Sequence, residues 1–220
     1  MIRMQEREQR LLVNSIIELG GLTEEALCML RSGIEQEDNI SMKKLQEYSS
    51  EIRSRARECE RDAIKIILLH HPVARDLRLI TSAIRMSNDL ERIGDNAGDI
   101  GEVIPFIKNK NILKEASILE MCDLVDDMLK DAIDALVESS LDKARMVAAS
   151  DDAVDDAFLK AKNCAIEMIR QAETDADEAP DVLMVAKYLE RMGDHAASFA
   201  SYVGWNVSGD DNWLIKSSMV

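Results

Sequence analysis

Apolar residues recur every three or four positions along almost the entire chain, which is the spacing that keeps them on one face of an α-helix. The first stripe is formed by Leu12, Ile16, Leu19, Ala26, Leu30 and Ile34. The pattern predicts one helix up to the polar segment 35–39 and a second helix with Ser41 as its N-cap. The second helix should end near His70, because His71 precedes Pro72 and the residue before a proline avoids the helical conformation.

A third helix is predicted to begin near Pro72, since proline suits the first turn of a helix, and to continue towards Ile104. The polar segment 108–111 then separates the two halves of the chain. Three further stripes occupy the second half and have the spacing of helices packed nearly antiparallel in bundles. They comprise Met121, Val125, Met128, Ala132 and Ala135, then Val154, Phe158, Ala161, Ala165 and Met168, and finally Val185, Leu189, Met192, Ala196, Phe199 and Val203.

These stripes predict an all-α protein built from two tandem three-helix bundles. Residues 1–107 would form the first repeat, 108–207 the second, and 208–220 a C-terminal tail. With only 9 Gly and 3 Pro in 220 residues, the chain has few helix breakers, and its low aromatic content disfavours strands. Trp205 and Trp213 suggest that the tail packs against the rest of the protein.

An internal repeat supports the division into halves. The segment Leu90-Glu-Arg-Ile-Gly-Asp95-Asn-Ala recurs as Leu189-Glu-Arg-Met-Gly-Asp194-His-Ala, with six identities in eight positions. The two copies are 99 residues apart, and each lies on the third predicted helix of its half. A duplicated three-helix unit explains this spacing better than chance does.

The repeated motif places two acids one helical turn apart, Glu91 with Asp95 and Glu190 with Asp194. Like charges at this spacing repel by a few tenths of a kcal/mol unless something neutralises them. The arginine inside the motif is one candidate, and it would produce a plain salt-bridged surface. A hard cation is the other, because clustered carboxylates suit Mg, Mn or Fe and can bridge several metal ions.

The second helix of each half should supply the opposing acids. In the second half Asp151 and Asp155 are again one turn apart, whereas the corresponding positions in the first half are Ser49 and Arg53. We therefore predict a hard-cation site in the second repeat only. In the first repeat Arg53 could itself neutralise the acidic motif.

Glycines inside predicted helices indicate close contacts between helices. Each costs about 1 kcal/mol of helix stability relative to alanine. Gly94 and Gly193 in the repeated motifs therefore predict that another helix comes very close, and Gly20-Gly21 predicts a close contact or a kink.

The charge of the chain excludes one class of partner. Asp and Glu outnumber Lys and Arg by 42 to 27, for a net charge of −15. Nucleic-acid binding rests on neutralising phosphates with basic side chains, so we expect no nucleic-acid partner. No apolar run reaches the roughly 18 residues of a membrane span, and the charged start does not resemble a signal peptide, so we expect a cytoplasmic protein without membrane insertion.

The four cysteines are far apart in the sequence and form no CxxC pair. This spacing is not typical of a zinc or redox site. Because Cys28, Cys59, Cys122 and Cys164 all fall within predicted helices, we expect them to be buried, reduced thiols.

Together these segments resemble the PhoU family. The resemblance rests on Pro72-Val-Ala-Arg-Asp-Leu-Arg-Leu-Ile80 with Asp89-Leu-Glu-Arg-Ile-Gly-Asp95, and on Tyr188-Leu-Glu-Arg-Met-Gly-Asp-His-Ala196. It spans nearly the whole chain, from about residue 5 to about residue 205. It implies two three-helix bundles side by side and a protein that restrains phosphate uptake and phosphate-starvation signalling. Separately, we expect the protein to form a homodimer.

In that family the regulator acts on the ATPase of the phosphate-specific ABC transporter and, in many bacteria, on a sensor histidine kinase. The family's paired E(D)xxxD motifs can bind multinuclear metal clusters, so the resemblance implies a multinuclear cluster of iron or another divalent cation, in the second repeat rather than the first. Carried over to this chain, the metal ligands would be Asp151, Asp155, Glu190 and Asp194 in one repeat and Glu91 and Asp95 in the other. Ser49 and Arg53 depart from the family pattern.

Other functions are less consistent with the sequence. Di-iron oxidases need Glu-x-x-His on facing helices, and none of His70, His71 and His195 has a Glu three residues before it. Without a phosphate-binding glycine loop or a nucleophile elbow, the chain is predicted not to be an enzyme. We expect His195 to hydrogen-bond locally. The alternatives are an accessory module of a potassium-uptake system or a purely structural dimerising bundle.

Overall fold

A computed structural model describes residues 2–171, 176–210 and 212–214. Within these ranges the chain forms seven α-helices and two short 3-10 helices. The helices are α1 (Ile2–Gln36), α2 (Asn39–His70), α3 (Arg75–Val103), α4 (Asn111–Glu115), α5 (Ile118–Glu138), α6 (Leu141–Gln171) and α7 (Ala179–Ser208). The 3-10 helices are Ile104–Phe106 and Ala176–Glu178.

The long helices form two bundles in tandem. Helices α1, α2 and α3 pack on one another, as do α5, α6 and α7, and the short α4 lies in the connection between the two groups. The bundles are joined along α3 with α7 and along α1 with α5. The predicted fold class, an all-α protein of two three-helix repeats, is confirmed.

The apolar stripes of the sequence form the core. All the stripe residues of α1, α5 and α7 are buried, and so are those of α6 except the partly buried Phe158. The interior is lined mainly by Leu, Ile, Val, Ala and Met, and Phe199 is its one fully buried ring within the described ranges. Burial of these stripes, rather than intrinsic helix propensity, stabilises helices of this length.

The helical glycines lie where helices touch. A Cβ added at Gly94 would come within 2.8 Å of Ile52 on α2, and one at Gly193 within 3.2 Å of Val154 on α6. At Gly20 a Cβ would lie 2.6 Å from Ile133, so this glycine lets α1 of the first bundle approach α5 of the second. The close contacts predicted at these three positions are confirmed.

Two predicted helix ends are wrong. Asp38, not Ser41, caps α2: its Oδ1 accepts a hydrogen bond from the Ile40 N–H at 2.9 Å, and Ser41 Oγ donates to Oδ2 of the same carboxylate at 2.7 Å. An aspartate one turn earlier therefore captures the free backbone N–H. Helix α3 begins at Arg75 rather than near Pro72, because His71 and Ala74 both have positive φ and interrupt the helical backbone.

The cysteines and the tail also differ in part from expectation. Cys59 and Cys122 are buried, but Cys28 is exposed and Cys164 is only partly buried. In the tail, Trp213 is 4% exposed and packs against Gly204 of α7, as the prediction of a packed tail requires. The remainder of the tail, residues 211 and 215–220, lies outside the described ranges. None of the described helices is long and apolar enough to cross a membrane.

Candidate functional site

The glycine contacts fix how the two repeats correspond. Gly94 packs on Ile52 and Gly193 packs on Val154, so equivalent glycines meet residues that are 102 positions apart. The same offset pairs Asp151 with Ser49 and Asp155 with Arg53. The correspondence proposed from sequence counting is therefore reproduced by the packing, and each ERxGD motif lies beside the expected segment of the neighbouring helix.

In the second repeat, carboxylates of α6 and α7 are close enough to influence one another. Partial burial raises the pKa of Asp151, and the charges of Asp194, Asp155, Asp152 and Glu190 raise it further. The pKa of Asp194 is also raised, first by loss of solvation and then by Glu190 and Asp155. The four predicted ligands thus share one electrostatic environment across two helices.

This repulsion has a definite pH dependence. An aspartate whose folded-state pKa is raised binds its proton more tightly in the folded protein than in the unfolded chain. The folded state is therefore relatively favoured when Asp151 is protonated, and this contribution is lost as the pH rises through the folded-state pKa. At neutral pH the ionised cluster destabilises the fold unless a cation compensates.

One internal counter-charge already lies at the cluster. Lys187 Nζ is 2.5 Å from Oε1 of Glu190 and 5.3 Å from the Phe158 ring centroid, so its position is fixed from two sides. The other oxygen of Glu190, Oε2, is buried and has no hydrogen-bond partner among the described residues. Lys187 thus lies near two of the four carboxylates, Glu190 and Asp194, and leaves one buried oxygen of Glu190 unsatisfied, which is costly in a protein interior.

The donor set of the second repeat fits a hard cation. All four side chains offer carboxylate oxygens, which suit divalent cations such as Mg, Mn or Fe, and the unsatisfied Glu190 oxygen is a free ligand atom. The side chains are not drawn together, however: within the described ranges no three acidic, His or Cys side chains already surround one point. Assignment of Asp151, Asp155, Glu190 and Asp194 as ligands stays a prediction.

In the first repeat the guanidinium group of Arg53 lies against the acids of the repeated motif. Arg53 Nη2 donates to Asp95 Oδ1 at 2.6 Å, and Ser49 Oγ donates to the same oxygen at 3.1 Å. Arg53 Nε is 3.8 Å from Glu91 as well. One arginine thus pairs with both acids of the motif and offsets part of their charge, and assignment of Glu91 and Asp95 as metal ligands stays a prediction.

The junction of the repeats contains a pair that the sequence did not reveal. His195 Nδ1 lies 3.0 Å from Oδ1 of Asp89, so the prediction of a local hydrogen bond for His195 is wrong: the bond joins α7 to α3. The Asp89 side chain is only 8% exposed. In the opposite repeat, Tyr188 is equivalent to Asp89 and Asn96 is equivalent to His195. The pair therefore breaks the internal symmetry, and comparison of the two repeats could not have predicted it.

Comparisons with known proteins agree with this architecture. Residues 16–104 and 118–203 each match the PhoU domain. The chain is 30% identical over 200 residues to a phosphate-specific transport system accessory protein PhoU homolog of Clostridium acetobutylicum, covering 89% of this chain and 90% of that protein. It is 32% identical over 201 residues to PhoU homolog 1 of Thermotoga maritima, with 90% and 86% covered.

Solved structures show the same fold. The crystal structure of PhoU from Pseudomonas aeruginosa superposes with a TM-score of 0.85 at 23% identity, over 96% of this chain and 100% of that one. The phosphate transport system regulatory protein PhoU from Streptococcus pneumoniae gives 0.86 at 23% identity, over 94% and 98%. The similar curated proteins are named accessory proteins, in agreement with the prediction that the chain is not an enzyme. With two matched domains in two helical repeats, the chain belongs to the PhoU family.

Proposed function

We propose that this protein regulates phosphate uptake and phosphate homeostasis as an adaptor on the phosphate-specific ABC transporter. The observation that carries the proposal is the similarity, over about 90% of the chain, to proteins named as accessory proteins of the phosphate-specific transport system. The regulation is negative: the protein restrains uptake and phosphate-responsive expression when phosphate is plentiful. The role requires a cytoplasmic location, where transporter ATPases work.

The transporter ATPase is the proposed partner, with a sensor histidine kinase as a second partner where the organism has one. The chain carries a net charge of −15, and Asp152, Asp155 and Asp156 are exposed along α6. A surface of this sign favours a basic patch on the partner and speeds association. Charge complementarity therefore supports α6 as the docking face.

A cation at the second repeat would make the adaptor metal-dependent. A divalent ion held by the carboxylates of α6 and α7 would offset their repulsion and link the two helices at the docking face. The test is to remove bound metal, dialyse the protein against Mn²⁺ or Fe²⁺, and count retained ions by mass spectrometry. Replacing Asp155 and Asp194 with Asn should abolish retention, whereas Asp156→Asn, an exposed acid on the same helix, should not. Absence of metal in carefully purified wild-type protein would refute this part of the proposal.

The regulatory role is tested by recovering partners of tagged protein from its own cells, grown with ample phosphate or starved of it. Recovery of the phosphate-transporter ATPase, lost on starvation, is the expected result. The paired substitutions Asp152→Asn and Asp156→Asn should weaken recovery. Glu47→Gln with Glu60→Gln removes the same charge from exposed positions on α2 and should leave it intact.

A genetic experiment provides an independent check. A strain lacking the protein should take up phosphate without restraint and express phosphate-responsive genes in rich medium. If both properties stay unchanged, the proposal is wrong. Recovery of a potassium-uptake component instead of the ATPase would favour the alternative role in cation transport. The predicted homodimer is tested separately by sedimentation analysis of the purified protein.

A further inference from the structure

A polar cleft lies at the junction of the two repeats, beside but distinct from the acidic face of the second repeat. It has a volume of about 430 Å³ and is formed by side chains of α2, α3 and α7. Its lining residues are Arg53, Arg92, Asp95, Asn96, Asp99, Arg191 and His195. Three arginines against two aspartates give it a formal charge of +1 in a chain whose net charge is −15.

Two arginines of the repeated motif, Arg92 and Arg191, supply most of the positive charge of this cleft. Arg92 and Arg191 occupy the same position in the two copies of the repeated motif, and the packing of α3 against α7 brings both to one cleft. Both are exposed, and neither forms an ion pair with any residue in the described ranges. Other exposed arginines, Arg57 among them, also form no ion pair within the described ranges, so what distinguishes Arg92 and Arg191 is that both line one cleft.

The acids in the cleft offset the charges of its three arginines only in part. Asp95 is already held by Arg53 and Ser49. Loss of solvation, followed by the charges of Asp95 and Glu102, raises the pKa of Asp99, although the nearby charges of Arg53 and Arg191 act in the opposite direction. The Asn96 side chain adds an amide that forms no hydrogen bond to a described residue.

We propose that the cleft between the repeats binds a small oxyanion of the phosphate class, held between Arg92 and Arg191. Guanidinium groups present N–H donors in a fork that matches two oxygens of a phosphate, and two such groups, one from α3 and one from α7, can donate to the same tetrahedral anion. The Asn96 amide supplies a further donor. The cleft volume leaves room for the anion with several water molecules, or for a phosphomonoester.

This site differs in kind from the predicted metal cluster and does not depend on the regulatory proposal. A cation would be repelled by the arginines, whereas an anion would be repelled by the carboxylates of Asp151 and its neighbours. The two regions are therefore separable by the sign of the ligand. Failure of either proposal leaves the other standing.

The test is calorimetric titration of the full chain with inorganic phosphate in a phosphate-free buffer at physiological salt. We expect one saturable site. Arg92→Gln and Arg191→Gln should each weaken binding roughly tenfold, as expected for loss of a charge-assisted hydrogen bond. Arg57→Gln is the matched control, because Arg57 is an exposed arginine on α2 outside the cleft and its substitution makes the same change in net charge.

Asp99→Asn tests whether the ligand of the cleft is an anion or a cation. Removing this carboxylate should strengthen phosphate binding several-fold if the ligand is an anion, and would weaken binding if the cleft held a cation. A parallel titration with O-phosphoserine distinguishes free phosphate from a phosphomonoester as the tighter ligand. Thermal melts of each variant confirm that these surface changes leave the fold intact.

Three outcomes would overturn the proposal. Wild-type protein could show no saturable heat at millimolar phosphate. Arg57→Gln could weaken binding as much as Arg92→Gln, which would mean diffuse attraction rather than a site. Asp99→Asn could weaken phosphate binding or abolish binding of Mn²⁺, which would mean a cation site.

Discussion

The contact between α2 and α3 can be tested by adding one methyl group at Gly94. Alanine is favoured over glycine inside a helix by about 1 kcal/mol, so the substitution would stabilise the protein if space allowed. Here the new Cβ would lie 2.8 Å from Ile52 Cδ1, 2.9 Å from Cγ2 and 3.2 Å from Cβ. The Cδ1 atom can rotate away, but Cγ2 and Cβ are held by the stiff χ1 of a β-branched residue.

Helix α2 would therefore have to move, and overpacking of this kind costs about 1–3 kcal/mol. Subtraction of the helix-propensity gain leaves a destabilisation of about 0–2 kcal/mol. Because two of the three short contacts cannot relax, we expect Gly94→Ala to fall in the upper half of that range. At Gly193 the equivalent atom would meet Val154 at 3.2 Å and two further atoms at 3.5 Å. Gly193→Ala should thus be neutral or stabilising by up to about 1 kcal/mol.

Equilibrium denaturation of both variants measures this difference, supported by thermal melts in which each kcal/mol shifts Tm by about 2–4 °C for a chain of this size. A double-mutant cycle identifies the cause. Ile52→Ala removes Cδ1 and Cγ2, so in that background Gly94→Ala should stabilise rather than destabilise. Equal effects at both glycines, or the same effect of Gly94→Ala in both backgrounds, would refute the argument from close helix packing.

Three further predictions follow from the burial and charge of single side chains. Asp151→Asn should stabilise the metal-free protein at neutral pH, because it removes a carboxylate whose pKa is raised in the folded state. This gain in stability should vanish on acidification, when the Asp151 carboxyl takes up its proton. Thermal melts across a pH series measure the effect, with Asp156→Asn as the control. Alkylation followed by mass spectrometry should label exposed Cys28 first and Cys122 last, because burial raises the pKa of Cys122 to about 12. Trp213→Ala should cost about 3 kcal/mol in denaturant unfolding, since its indole is 4% exposed; an unchanged midpoint would show that the tail contributes nothing.

Most of the fold could be predicted from helix periodicity, because an apolar stripe on one face of a helix must face the core. The stripe from Leu12 to Ile34 and the stripe on α7 are both inside the core. The wrong predictions concern helix ends, because a single side chain decides where a helix begins. Asp38 is the N-cap of α2, where Ser41 was predicted. Helix ends depend on hydrogen bonds made by single residues, and the periodicity of apolar residues contains no information about those bonds.

The acidic motifs were also visible in the sequence, and so was their asymmetry. Replacement of two acids by Ser49 and Arg53 predicted that the first repeat would neutralise itself, and the Arg53–Asp95 pair at 2.6 Å is the result. Sequence counting could make this inference because α2 and α3 are neighbours in the chain and Gly94 fixes their register.

The sequence by itself determined the helices, the duplication and the identity of the acidic face, because these depend on local spacing along one or two consecutive helices. Only the tertiary structure decided what lies between the repeats. The bond from His195 to Asp89 and the meeting of Arg92 with Arg191 join positions about 100 residues apart, through the packing of α3 on α7. Such contacts follow from how two finished bundles pack together, and that geometry depends on the shapes of both surfaces at once.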